Sequence, residues 1–218
     1  MSKIFDTDNK LFTVLSKIWD MMVLNFFWFI TVLAFIGPAC TGLYYAVVKN
    51  IRRSRDYAGK SFFHSFKSNF KQAAILGALQ IVFGVGLLFC YDFAIHYLDE
   101  KAYLAQVYYW LVVIMIILFL MVSIYIYPVL SRFDLKVSTV IKMSFFMAFR
   151  HLLTTVIGVL GLAVCFFCIT SFIISPLLLI APVLYTFGIS FPMEKVLRKY
   201  MPKKEDADPI TQEAWYYE

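Results

Sequence analysis

A chain of 218 residues that is 61% hydrophobic and 16% charged, with a mean hydropathy of +0.76, exceeds the roughly 45–50% apolar content of ordinary soluble domains. It reads as one membrane domain with little left for a separate soluble one. Its net charge of +6 is a matter of position, because Lys and Arg set the orientation of a membrane protein, and no nucleic-acid partner is implied.

In chain order, residues 1–20 alternate Lys3, Lys10 and Lys17 with Asp6, Asp8 and Asp20, and carry Leu11, Phe12, Leu15, Ile18 and Trp19 at helical spacing. An amphipathic lead-in at the interface is expected. Asp6 and Asp8, with no small-residue cleavage pattern after the apolar run, speak against a cleaved signal peptide. The first span is placed at Met21–Ile36. Gly37, Pro38, Thr41 and Gly42 then break the uncharged run, and a short helix from Leu43 to Val48 leads into Lys49, Arg52, Arg53 and Arg55. Spacing leaves open whether that helix crosses, tilted with Lys49 snorkelling, or re-enters.

Between Lys49 and Lys71 the chain has Arg52, Arg53, Arg55, Lys60 and Lys67 against Asp56 alone, which makes this segment cytoplasmic by the positive-inside rule. Gln72–Tyr91 is an uncharged span leading to an outer loop with Asp92, His96, Asp99, Glu100 and Lys101, and Ala102–Ser131 returns to the basic segment Arg132–Arg150. From His151 to Met193 there is no Asp, Glu, Lys or Arg. One span takes about 20 residues, so this run goes out and back, as Leu152–Thr170 and Leu177–Met193. Ser171, Ser175 and Pro176 mark the turn, since Pro ends a helix just before it. Lys195, Arg198, Lys199, Lys203 and Lys204 then place the C-terminus in the cytoplasm.

The expected fold is all-α: a polytopic transmembrane helical bundle of five or six membrane helices with amphipathic interfacial helices. An outer turn at Gly37–Gly42 gives six and a kink there gives five; the lysines near the start favour six. Residues 1–201 form a single transmembrane domain and 202–218 a flexible cytoplasmic tail.

Phe62, Phe66, Phe70 and Lys71 match Ile141, Phe145, Phe149 and Arg150, each an apolar helical stripe before a basic residue at the membrane entry. Pro128, Val129, Leu130 and Phe133 recur in the same way as Pro182, Val183, Leu184 and Phe187. Internal repeats occur in transporters, but any membrane entry needs such stripes, and common architectural need is the preferred explanation.

No phosphate-binding loop, zinc-protease helix or nucleophile elbow is present, so no catalytic residue, cofactor or metal site is assigned. Cys40, Cys90, Cys165 and Cys168 lie in apolar segments and are read as packing residues; Cys165 and Cys168 have redox spacing but no electropositive neighbour. His64 and His151 border the interface. Intramembrane ionisable groups are functional candidates by default, and the spans have almost none. The candidates for a polar pathway are Asp92 and His96, one turn apart, with Gln80 and Asn25, although a solvated helix end explains the first two as well. Gly77, Gly84, Gly86, Gly158 and Gly161 allow close helix approach instead.

The segments GPACTGLYYAVVK (37–49), SFFHSFKSNFKQA (61–73), YPVLSRFDL (127–135) and FFMAFRHL (145–152), in this order, resemble the YesL family of small integral membrane proteins of low-GC Gram-positive bacteria. The resemblance runs from about Phe5 to Tyr200 and leaves out the tail. It implies a multi-pass protein of the bacterial plasma membrane with an accessory role in carbohydrate uptake.

The expected function is therefore a non-catalytic accessory or regulatory subunit of a carbohydrate ABC importer, with the permease subunits, the ATPase and membrane lipids as partners. Arg132 and Asp134, with Arg52, Arg53 and Arg55, are the candidate partner contacts; membrane anchoring and lipid binding, at about 1 kcal/mol per basic residue near the surface, compete for them. The alternative is a stand-alone transporter of a small solute or lipid, working as a homo-oligomer.

Overall fold

The computed structural model describes residues 10–53, 56–96, 103–171 and 180–201, and every described element is helical. Helix α1 is Lys10–Val32 and α2 is Ile36–Ala46, continued by a π-helical segment, Val47–Arg52; α3 is Ala58–Ser68 and α4 is Phe70–His96. Then come α5, Tyr103–Arg132, α6, Val137–Arg150, α7, Leu152–Ser171, and α8, Ala181–Leu197. The expected all-α bundle is what the chain forms. The short helices α3 and α6 lead into α4 and α7.

Among the described residues three helices are long and apolar enough to cross a membrane: Thr13–Val32 within α1, α4 and α5. The pair α6 and α7 passes the same test as one span bent by 100°. At 1.5 Å per residue the 27 residues of α4 reach about 40 Å, past the roughly 30 Å hydrocarbon layer. The 11 residues of α2 with its 6-residue π continuation and the 17 of α8 reach only about 25 Å. Most of α2 is buried inside the bundle, whereas α8 packs one face inward and leaves Leu184 and Phe191 exposed on the other.

The amphipathic lead-in and the first span merge into one helix, α1, since nothing between Lys10 and Val32 breaks the helical bonding. The expected break at Gly37–Gly42 lies elsewhere. The chain reverses at 33–35, where the Phe35 N–H reaches the Thr31 carbonyl at 2.8 Å. Pro38 sits in the first turn of α2, where a missing N–H costs nothing. Gly37 serves contact instead of a turn: a Cβ there would lie 1.9 Å from the Ala73 carbonyl oxygen, with Gly77 just beyond. Having no side chain, Gly37 lets α2 lie directly on the backbone of α4. Gly77, Gly158 and Gly161 do allow close approach, whereas a side chain on Gly86 would meet open space.

After the reversal α2 runs back along α1, so that Leu24 of α1 shares an apolar cluster with Leu43, Val47 and Ile51. Nearly every residue of α2 is buried, which makes it the central helix although it is among the shortest. A larger cluster joins it to α4, α5, α6 and α8 around Tyr125, Val129, Met147 and Met193. The bend between α6 and α7 is held by side chains: the Thr155 hydroxyl donates to the Ala148 carbonyl at 2.8 Å and takes a bond from the Tyr125 hydroxyl at 3.0 Å.

The two matching entry stripes meet different surroundings. Phe62 is fully buried, while Phe145 and Phe149 are exposed. Pro128 lies inside α5 but Pro182 opens α8, so the second sequence match has no structural counterpart. Arg55, the loop residues Asp99, Glu100 and Lys101, the turn residues Ser175 and Pro176, and the tail 202–218 lie outside the described residues.

Candidate functional site

The basic segments meet at one end of the bundle. Arg132, at the end of α5, is buried against Glu194 of α8, its Nη2 2.8 Å and its Nε 3.1 Å from Glu194 Oε1. The two side chains are 0% and 4% exposed. The Tyr44 hydroxyl of α2 donates to the same oxygen at 2.9 Å, and Arg132 lies over the Tyr44 ring. Three helices are thus pinned through one carboxylate oxygen. Removing either member of such a pair leaves an uncompensated buried charge.

Around this pair the arginines crowd together. Arg52 donates to the Ser190 carbonyl at 2.8 Å and stacks on Phe191. Burial lowers the pKa of Arg53, as do Arg198, Arg132 and Arg52, while Glu194 raises it. Glu194 thus holds Arg132 directly and offsets the charges crowded around Arg53. Nearby, the His151 ring meets the Tyr200 hydroxyl at 3.1 Å, and burial, then Lys199 and Arg150, hold its pKa below the ordinary imidazole value. In the loop after the π segment, Lys49 pairs with Asp56 at 2.6 Å.

Further along the bundle axis, away from the arginines, the helices enclose a cavity of about 390 Å³. Tyr44 forms part of its wall, which links the cavity to the Glu194 pair. The remaining lining comes from α1, α4, α5, α7 and α8 and includes Trp28, Gln80, Ser123, Tyr127 and Tyr185. The Tyr127 hydroxyl donates to the Gln80 amide oxygen. Ser123 Oγ is buried with no hydrogen-bond partner among the described residues. Trp28 Nε1 is buried likewise, with only the weakly accepting Cys40 thiol beside it.

Of the candidate contacts, Arg132, Arg52 and Arg53 are brought together at the base. Asp134 is exposed in the turn before α6, and the buried partner of Arg132 is Glu194. Gln80 is in the cavity wall. Asn25 is buried in α1. Asp92 and His96 do meet, His96 Nδ1 3.1 Å from Asp92 Oδ1, but both side chains are more than half exposed at the far end of α4, remote from the cavity. Glu194 and Tyr44 were not singled out by sequence reasoning. Glu194 carried one signal, as the first charge after the long uncharged run; Tyr44 carried none, because its role depends on α2 being central.

A family model described as "Protein of unknown function, DUF624" matches residues 21–93, the stretch from within α1 into α4. The chain is also 30% identical over 170 residues to the uncharacterized protein YesL of Bacillus subtilis strain 168, covering 73% of this chain and 77% of that protein. The chain belongs to the YesL family. No solved structure matches it. The segment matched by the family model contains both the inner helix α2 and the Gly37–Gly77 contact, so the family's shared part includes the centre of this bundle.

Proposed function

We propose that this YesL-family protein is a non-catalytic accessory subunit of a carbohydrate ABC importer in the bacterial plasma membrane, acting through contacts between its outward helix faces and the permease. The observation that carries the reading is α4. It has only four buried residues, Ala73, Leu76, Gly77 and Ala94, in 27, and it presents Val82 and Phe89, 73% and 72% exposed, away from the bundle. Such a face suits lipid or a partner's helix. The family resemblance is what favours a permease.

The cavity supports an accessory role over an autonomous sugar pathway. A sugar ring carries several hydroxyls, and each one buried without a partner costs about 1–3 kcal/mol. The few neutral polar groups in this wall fall well short of that demand. With the basic end on the cytoplasmic side, Arg132 stays buried on Glu194, and the exposed Arg198 with the half-buried Arg52 and Arg53 are the members that reach the permease's cytoplasmic loops and the ATPase.

A second reading, a stand-alone carrier of a small solute or lipid, is favoured by the cavity itself. A photoreactive residue at Val82 in living cells separates the two. Crosslinks to a permease subunit are expected; adducts with lipid or with a second copy of this chain alone would overturn the accessory reading.

A further inference from the structure

We propose that the cavity is a binding site for an uncharged, mainly apolar molecule bearing one or two acceptor oxygens, entering from the hydrocarbon layer. Its volume of about 390 Å³ falls within the range of small-molecule sites, roughly 300–1,000 Å³. Among the described residues no Asp, Glu, Lys, Arg or His lines it, so a charged ligand would lose its hydration with no countercharge from them in return.

Most hydroxyls of the wall already donate within the protein, Tyr44 to Glu194, Tyr127 to Gln80, Tyr185 to Gly158 and Thr186 to Pro182, and three polar groups keep a donor for an occupant. Trp28 Nε1 is donor-only and has no oxygen partner among the described residues. Gln80 has its oxygen engaged by Tyr127 and retains its N–H₂ group. The Ser123 hydroxyl has no partner among the described residues. A matching ligand therefore brings acceptors, as a carbonyl or ether does. The rest of the wall, including Leu43, Leu162, Phe166 and Ile189, matches a hydrocarbon or aromatic body. A polyhydroxylated ring would set most of its hydroxyls against this largely apolar wall.

Buried donors without acceptors carry a desolvation cost of their own, and a bound acceptor oxygen relieves it. The Tyr44 side chain, in the wall of the cavity and bonded to Glu194, puts an occupant in direct contact with the residue that joins the cavity to the basic end. The assignment does not depend on whether the chain joins an importer.

Benzophenone is a suitable probe: uncharged, aromatic, with one carbonyl whose oxygen on irradiation takes the hydrogen of a nearby C–H bond while its carbon bonds to the carbon left behind. The full chain in lipid nanodiscs is irradiated with it and the adducts are mapped by peptide mass spectrometry. Adducts are expected to concentrate on Ile124, Leu162 and Ile189. Ser123→Phe, which fills the space, should abolish them. The pair Gln80→Leu with Ser123→Ala, which keeps the space and removes donors, should weaken labelling by about tenfold. Labelling spread over the α4 outer face and unchanged in the second variant would overturn the site. Competition by excess glucose would overturn the ligand class.

Discussion

The two ends of this bundle are built on opposite terms. At the basic end α2, α5 and α8 are pinned by Tyr44, Arg132 and Glu194, and α3 buries Phe62 under α1 and α2. Toward the other end the helices part around a cavity. There α4 and α5 hold each other through aromatic pairs such as Phe83 with Phe119 and Tyr91 with Tyr109, and expose apolar surface outward. The difference assigns stability to the basic end and leaves the other end free to receive a ligand or a partner.

That contrast is broken most severely at the buried pair. Glu194→Ala should lower stability by about 3–5 kcal/mol, as expected when one charge of a buried pair is stranded, and a thermal unfolding series in detergent measures it. Arg132→Met with Glu194→Met should recover most of that loss. If the double variant is as unstable as the single one, the cost lies in packing and not in the stranded charge.

Phe62→Ala should cost about 3–5 kcal/mol as a buried aromatic truncation. Phe145→Ala, on the exposed face of the matching stripe, should stay within about 0.5 kcal/mol, as should Phe89→Ala at the far end; equal losses at Phe62 and Phe145 would erase the contrast. Gly37→Ala should separate α2 from α4, because the new Cβ would collide with backbone at Ala73. A lowered unfolding temperature in detergent would report that separation, and an unchanged one would show that the two helices adjust without cost.

The smallest effect is a pH dependence at the basic end. The folded-state pKa of His151 is lowered by burial and by Lys199 and Arg150, so the unfolded chain binds its proton more readily. Stability is then full above the ordinary imidazole pKa of about 6.5 and declines as pH falls through the folded value. His151→Asn should flatten a plot of unfolding temperature between pH 8 and pH 5.

Much of this architecture was legible in the sequence because it follows from hydrocarbon thickness and charge placement. The bounds of α7, the short helices α3 and α6 that lead into α4 and α7, and the convergence of three basic segments at one end all came from runs of uncharged residues and their basic flanks. Glycine and proline at 37–42 misled, since the same residues that make turns also allow backbone contact, and only the position of α4 distinguishes the two uses. Arg132 was visible as a candidate, yet its partner was not: Glu194 lies 62 positions away, and no local spacing pairs them. The cavity was hidden for the same reason, being formed by residues from six helices.

The measurement that bears most directly on the proposed function is mild-detergent purification of the tagged full chain from its native membranes, with quantitative mass spectrometry of everything that accompanies it. The account predicts importer permease subunits and their ATPase in near-constant ratio to this chain, reduced when Val82 and Phe89 are both changed to Lys. Recovery of this chain alone, or of permease in amounts that ignore the α4 substitutions, would contradict it.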